Sequence, residues 1–291
     1  GMDELIRALG RLDRVVGVGI GGSRGLRIAS EASDFDLVLF RRGGERVDAR
    51  EILDALRACA GVCELRDPAG FVSGRLGTHR FEIFQKDLLA IEREIEQARE
   101  GAFTWSIRQL FPHGDLSTGL ISHVVHLIVC SDPDGHLERL RAAATPFPVA
   151  LRAALVDTFL QQADITVTHA AKISRRLDLQ YLVGLCSGFV FFANLLVFAV
   201  NGVYPVLEKG GSLVIARLPQ RPAHYEQRIA QLFSCAAAGD YPAAVAMLET
   251  LLGELRFLAV EGRRALAADE SVRTRPNEAQ RAGSGRGAGS G

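Results

Sequence analysis

The stretch that decides the fold runs from Gly17 to Leu37. It opens with GVGIGGSRG (17–25) and closes with SDFDL (33–37). The apolar run Val15–Ile20 predicts a short strand, and the glycines after it predict a tight turn that opens a short helix. A second strand is predicted from Phe35 to Phe40. The two aspartates of SDFDL therefore lie at the start of this strand.

The same glycines also match a different pattern. Gly17, Gly19 and Gly22 satisfy G-x-G-x-x-G, the fingerprint of dinucleotide-binding folds. That fingerprint must follow a complete strand and open a long helix. Here two of the glycines fall inside the apolar run, and a helix after Gly22 must end before Ser33. This spacing is too short for a crossover helix, so the dinucleotide interpretation is the weaker one.

Asp34 and Asp36 are separated by one residue. Positions i and i+2 of a strand point to the same side, so both carboxylates project together while Phe35 and Leu37 face the core. Carboxylate oxygens are the ligands that Mg²⁺ prefers. The backbone N–H groups of the preceding Gly-Ser turn are suited to a phosphate. The stretch therefore predicts a site for magnesium and a triphosphate.

A third carboxylate is expected on a neighbouring strand. Glu82 fits, because it alternates with Phe81 and Ile83 in a predicted strand over 79–84. Asp87 is an alternative, but it stands at the start of a predicted helix, where an acid is common. Either choice gives three carboxylates, the set that two metal ions need to act on a triphosphate.

At this point the sequence resembles a known family. Gly21-Gly22-Ser23, Asp34-Phe35-Asp36 and the later Glu82 resemble the signature of the DNA polymerase beta-like nucleotidyltransferase superfamily. The second half is similar to the kanamycin and lincosamide nucleotidyltransferase group and related uncharacterised bacterial proteins. The residues that carry this second likeness are Arg176-Leu-Asp178 and Asn201-Gly-Val-Tyr204-Pro-Val-Leu-Glu-Lys209, and the whole resemblance covers most of residues 13–215.

The resemblance implies an activity and a set of roles. A nucleoside monophosphate, AMP from ATP, is transferred to a hydroxyl group of a small molecule, and pyrophosphate is released. Asp34 and Asp36 bridge two Mg²⁺ ions, and Glu82 binds the ion nearest the acceptor. Gly22 and Ser23 hold the β- and γ-phosphates. The acceptor is left open: an aminoglycoside, a bacterial metabolite and a protein side chain fit equally well.

Four further residues are candidates for the site through the same resemblance. Arg24, Lys172 and Lys209 are candidates to neutralise the triphosphate, and Asp178 is a candidate catalytic base or acceptor contact. For the two lysines and Asp178, a solvated helix face or a helix cap is an equally good explanation. His123 and His126 are one helical turn apart, but no usual zinc ligand set surrounds them.

Two functions of other classes stay open. One is a catalytically silent nucleotide-binding module that acts through a protein partner, which would not need all three acids. The other is a membrane protein, because residues 182–200 contain no charge. We favour a buried helix of a soluble protein for this segment. Its polar residues recur every seven positions and form one stripe: Gln180, Ser187, Asn194 and Asn201.

Composition limits the function further. The chain has 291 residues and 34 basic and 34 acidic side chains, so its formal net charge of zero argues against extended binding of nucleic acid. The five cysteines include no C-x-x-C pair. They are typical of reduced core residues, which predicts a cytoplasmic protein. We expect no membrane partner and a monomer or homodimer.

The order of patterns predicts an α+β protein. A mixed-sheet nucleotidyltransferase domain is expected over residues 1–144, a helical domain that binds acceptor and nucleotide over 145–268, and a disordered tail over 269–291. Within these parts we predict one helix over 116–129, a strand at 213–215, and a hairpin that turns at Ser73-Gly74.

Overall fold

The computed structural model describes residues 1–67, 71–108, 111–173, 178–205 and 210–274. Over these ranges the chain is α+β, with a mixed sheet in the first half and long helices in the second. This is the fold class that the sequence predicts.

The strands bring the predicted acids to the middle of one sheet. They are β1 (Val15–Ile20), β2 (Phe35–Arg41), β3 (Val62–Arg66), β4 (Ser73–Leu76), β5 (His79–Asp87), β6 (Trp105–Arg108), β7 (Phe111–Leu116) and β8 (Ile128–Ser131). Across the described ranges, six of them form a sheet in the order β3-β4-β5-β2-β1-β8. Strands β2 and β5 are parallel, and the other neighbours are antiparallel. Strands β6 and β7 pair separately.

The helices surround this sheet and then form the second half. They are α1 (Met2–Gly10), α2 (Gly22–Gly25), α3 (Ala49–Arg57), α4 (Leu88–Arg99), α5 (Gly119–Val125), α6 (His136–Ala143), α7 (Val149–Ile173), α8 (Leu179–Val200), α9 (Gly211–Ile215), α10 (Tyr225–Ala237) and α11 (Tyr241–Thr274). Four of the described helices begin directly after an aspartate whose carboxylate accepts a hydrogen bond from the first turn: Asp48, Asp87, Asp178 and Asp240. Such caps satisfy N–H groups that lack a partner within the helix.

Strand β2 is buried on both faces. Leu37 and Leu39 pack with residues of α1 and α3 in one apolar cluster. Val38 and Phe40 belong to a second cluster, which continues through α4 into the C-terminal helices. Because side chains alternate along a strand, Asp36 lies on the face of Val38 and Phe40, the face turned towards those helices.

Two segments differ from the sequence prediction. The helix predicted over 116–129 is instead the end of β7, helix α5 and strand β8. Strand β8 pairs with β1 at the edge of the sheet, and a short apolar run does not reveal such a tertiary pairing. The strand predicted at 213–215 lies in helix α9. Three apolar residues are compatible with either structure.

The hairpin of β4 and β5 turns later than predicted. Leu76 pairs with His79, so the turn is at Gly77-Thr78 and not at Ser73-Gly74. Gly77 has a φ of +60°, a left-handed conformation that glycine adopts without steric cost. The correction places Ser73 at the start of β4, where it pairs with Glu82 of β5.

Within the part of the chain that the structure describes, one helix, α8, is long and apolar enough to span a membrane. In its most apolar window, 61% of the residues are buried inside the protein. The predicted polar stripe has partners there. Ser187 Oγ lies 2.6 Å from His113 Nε2, Asn194 accepts from the Tyr225 hydroxyl at 2.9 Å, and Asn201 donates to two backbone carbonyls. Buried polar groups in a protein core are satisfied in this way.

Candidate active site

Four polar residues form one line across the sheet. Asp36 on β2 is the register partner of Glu82 on β5, Glu82 is that of Ser73 on β4, and Ser73 is that of Arg66 on β3. Paired residues of neighbouring strands project to the same face. We call these four residues the polar row. Because neighbouring strands lie about 4.8 Å apart, the backbone positions of the row span about 14 Å.

The pairing identifies the acid nearest to Asp36. Glu82 lies directly opposite Asp36, whereas Asp87 is at the far end of β5. The Asp87 carboxylate accepts hydrogen bonds from the backbone N–H groups of Gly43 and Leu89, at 2.9 and 3.1 Å. Asp87 therefore caps helix α4, and Glu82 is the candidate third carboxylate.

The turn after β1 lies against Asp36. The Gly21 N–H donates to the Asp36 carbonyl at 2.8 Å. Gly22 has a φ of +54°, and a Cβ built on it would lie only 1.6 Å from Asp36 Oδ2. A side chain at position 22 would therefore strain the backbone and collide with the carboxylate in its present place. Ser23 follows half-buried in the four-residue helix α2.

Carboxylate oxygens suit a divalent cation, but the three predicted carboxylates do not form one coordination site in this structure. The Asp36 carboxylate lies against Gly22, whereas Asp34 and Glu82 line a cleft beside it. Among the described residues, no three His, Cys, Asp or Glu side chains are placed to hold a metal ion together. Asp36 and Glu82 are nevertheless register partners on adjacent strands, so both carboxylates can bind one cation without a change in strand pairing.

The cleft contains arginines that sequence reasoning missed. Its lining combines acids, arginines and small residues: Asp34, Glu64, Arg66, Ser73, Gly74, Arg75, Arg80, Phe81 and Glu82. Arg75 and Arg80 are register partners on β4 and β5. The alternation of polar and apolar positions in SGRL (73–76) was the available signal. Placing a turn at Ser73-Gly74 hid it.

Arg24 supports the segment that carries Asp34. Its Nη2 donates to the Ser33 carbonyl at 2.8 Å, and its Nε donates to the Asp34 carbonyl at 3.3 Å. The guanidinium carbon lies 3.8 Å from the centre of the Phe35 ring, a cation–π contact. These contacts show Arg24 in a positioning role. Its contact with a triphosphate stays a prediction.

Lys172 and Asp178, the two predicted contacts from the second half that the structure describes, do not line the cleft. Lys172 is exposed in the last turn of α7 and does not belong to the cleft lining. Asp178 is exposed and accepts a hydrogen bond from the Tyr181 N–H at 3.1 Å. It is therefore a helix cap, the alternative that the sequence left open. Lys209 and Arg176 lie outside the described residues.

The glycines of β1 serve close packing. A Cβ on Gly19 would lie 2.5 Å from Leu127 Cδ2, and one on Gly17 would lie 2.9 Å from Leu137 Cδ1. The helix that follows Gly22 has four residues. Both findings oppose the dinucleotide interpretation, which needs a long helix at this point.

Changing Gly19→Ala is expected to lower the free energy of unfolding by about 1–3 kcal/mol, because Leu127 must move to make room. Urea titration measures this change. In a Leu127→Ala background the same substitution should cost much less, since the opposing side chain is gone. Equal costs in the two backgrounds would show that the Leu127 contact is not the cause.

His123 and His126 are half-buried, and among the described residues neither belongs to a group of three possible metal ligands. Burial lowers the pKa of His123 from its ordinary 6.5 to about 3, with smaller contributions from the charges of Lys86 and His126. Burial also lowers the pKa of His126. Both rings are therefore neutral in the folded protein at neutral pH.

A pH dependence of stability follows from His123. The unfolded chain takes up a proton near pH 6.5 and the folded chain only near pH 3, so stability is complete above pH 6.5 and is lost as the pH falls. The expected contribution is about 1.4 kcal/mol per pH unit between these limits. Urea titrations at pH 7, 6 and 5 should show a smaller loss for His123→Gln than for the wild type. The exposed His169→Gln is the control. Identical pH slopes in wild type and His123→Gln would contradict the assignment.

Comparison with known proteins does not establish a family for this chain. No family model matches the chain, and no curated protein matches it. The chain is similar to a solved nucleotidyltransferase-like protein from Exiguobacterium sibiricum, at 12% identity and a TM-score of 0.40, over 92% of this chain and 80% of that one. A likeness this low does not establish the family, and the kanamycin and lincosamide group stays an expectation.

Proposed function

We propose that the chain is a nucleotidyltransferase that moves a nucleoside monophosphate, AMP from ATP, to a hydroxyl group of a small molecule and releases pyrophosphate. One observation carries the proposal: Asp36 and Glu82 are register partners on neighbouring strands, beside a glycine turn that closes on Asp36. Paired carboxylates next to a turn rich in N–H groups suit a metal-bound triphosphate.

Some of these residues would bind the metal ion and the phosphates, and Arg24 would orient the segment that carries Asp34. Asp34, Asp36 and Glu82 would hold Mg²⁺, which neutralises the charge of the triphosphate and of the leaving pyrophosphate when it is bound. The backbone N–H groups and hydroxyl of Gly22-Ser23 contact the β- and γ-phosphates. The missing side chain at position 22 leaves that approach open. Arg24 orients the segment of Asp34 through its backbone hydrogen bonds.

The transfer itself is an in-line displacement. The acceptor oxygen forms a bond to the α-phosphorus and gives up its proton to solvent. The bond between the α-phosphorus and the bridging oxygen of the β-phosphate breaks, and pyrophosphate leaves with the electron pair. The chain contributes position and charge, which is what phosphoryl transfer requires of a protein.

The proposal is tested by incubating the protein with Mg²⁺, each NTP in turn and a pooled library of metabolites and aminoglycosides. We expect one compound to gain the mass of a nucleoside monophosphate, and EDTA to prevent the gain. Binding of Mg-ATP without any mass gain would favour the second candidate, a catalytically silent module that acts through a protein partner.

The setting of the enzyme belongs to the same proposal. We propose a cytoplasmic monomer or homodimer that binds no membrane. All five cysteines are free thiols, as in proteins of reducing compartments.

A further inference from the structure

The polar row has two unlike ends. At the Asp36 end, the Gly22 turn lies against the carboxylate. From Glu82 the row continues away from that turn, through Ser73 to Arg66. In-line transfer places the acceptor and the leaving pyrophosphate on opposite sides of the α-phosphorus. If the pyrophosphate lies at the turn, as the proposed function requires, the acceptor lies on the side of β4 and β3.

That side of the cleft is rich in arginine. Arg66, Arg75 and Arg80 all line it, and Arg75 stands directly opposite Arg80. Like charges in directly opposed positions of antiparallel strands destabilise the pairing. A pair of this kind therefore suits a site in which a negatively charged ligand lies between the two guanidinium groups.

The protein itself neutralises little of this charge. Arg75 is 3.9 Å from the exposed carboxylate of Glu64, a separation and exposure at which an ion pair contributes little. Arg66 and Arg80 are exposed, and within the described residues no carboxylate forms a salt bridge with either. The remaining acids of the cleft, Asp34 and Glu82, are those assigned to the metal ions.

We infer that the acceptor carries an anionic group, a phosphate or a carboxylate, in addition to its hydroxyl, and that this group is bound by the register partners Arg75 and Arg80 together with Arg66. Guanidinium groups bind both oxyanions through paired hydrogen bonds. The inference rests on the proposed function. It excludes a polycationic aminoglycoside as the acceptor, because its ammonium groups would meet three guanidinium groups.

The test compares two double variants that each remove two positive charges. Arg66→Gln with Arg80→Gln changes the cleft, and Arg50→Gln with Arg93→Gln changes exposed arginines of α3 and α4. Each protein is saturated with Mg²⁺ and a non-hydrolysable ATP analogue. Calorimetry then measures the binding of glycerol 3-phosphate, glycerate and glycerol, which separates phosphate, carboxylate and neutral acceptors.

We expect the wild type to bind at least one anionic probe tenfold or more tightly than glycerol. The cleft variant should lose at least tenfold of that affinity, and the control should keep it within twofold. Equal anion binding in the cleft variant, or no preference over glycerol in the wild type, would overturn the inference. Equal melting temperatures of the two variants show that folding is intact.

Binding of the Mg²⁺ complex of the ATP analogue, measured before the anions are added, separates the proposed function from the inference about the acceptor. If the wild type does not bind the Mg²⁺ complex of the ATP analogue, the proposed function fails and the inference fails with it. If all three proteins bind the nucleotide equally but anion binding does not depend on Arg66 and Arg80, only the inference about the acceptor is wrong.

Discussion

Replacing Asp34 and Asp36 together by asparagine is expected to abolish nucleotidyl transfer, with a loss of at least about 1,000-fold in kcat/KM. The substitutions keep the shape of both side chains and remove the two charges that would hold Mg²⁺ against the triphosphate. For the same reason, the rise in melting temperature with Mg-ATP should lose its metal-dependent part. A steady-state assay of pyrophosphate release and a thermal melt measure the two effects.

The matched control is Asp54→Asn with Asp134→Asn, which removes two negative charges from exposed positions outside the cleft. This control should transfer nucleotide at the wild-type rate. A Mg²⁺-dependent thermal shift of the same size in the Asp34/Asp36 variant and in the wild type would count heavily against the metal site.

Gly22→Ala is expected to be almost as damaging to activity and also to reduce stability. The new Cβ would lie 1.6 Å from Asp36 Oδ2, and the backbone has a φ of +54°. The carboxylate must therefore leave its place. The left-handed conformation adds about 1–2 kcal/mol of strain. We expect transfer to fall at least about 100-fold and the free energy of unfolding to fall by more than the strain alone.

Gly44→Ala is a control that introduces the backbone strain of a positive φ without a steric clash. Gly44 has a φ of +71°, and a Cβ there would have no neighbour within 4 Å. This control should lose about 1–2 kcal/mol of stability and keep full activity. If Gly22→Ala and Gly44→Ala behave alike in the transfer assay, the contact between Gly22 and Asp36 has no role in catalysis.

The local parts of the site could be predicted from the sequence. The strand Val15–Ile20 and the short helix after Gly22 are confirmed. Alternation along the strand predicts that Glu82 and Phe81 point to opposite faces of the sheet, with Phe81 in the core. Phe81 is indeed buried. These features depend on neighbours within a few residues, so a single sequence contains their signal.

The parts set by distant pairing could not be predicted. Strand β8 is held in the sheet by β1, more than a hundred residues earlier in the chain. The partnership of Asp36 with Glu82 depends on β5 lying parallel to β2, and no local pattern determines which strands pair. The arginines of the cleft were missed because one turn, placed four residues too early, removed β4 from the predicted sheet.

The position of Asp178 shows a different limit. Its place before an apolar helix suits both a catalytic acid and a cap, and sequence alone does not separate them. The hydrogen bond to the Tyr181 N–H shows the cap. The observed contribution of the second half is apolar packing: its helices belong to the cluster that contains Val38 and Phe40. The described residues show none of the predicted side chains of this half in the cleft.

The most direct test is anomalous diffraction from crystals grown with Mn²⁺ and a non-hydrolysable ATP analogue. Mn²⁺ replaces Mg²⁺ at oxygen sites and can be located by its anomalous signal. The expected result is a manganese peak between the carboxylates of Asp36 and Glu82, in contact with the phosphates of the analogue. Nucleotide bound elsewhere, or bound at the turn with no manganese at these two acids, would contradict a transferase built on them.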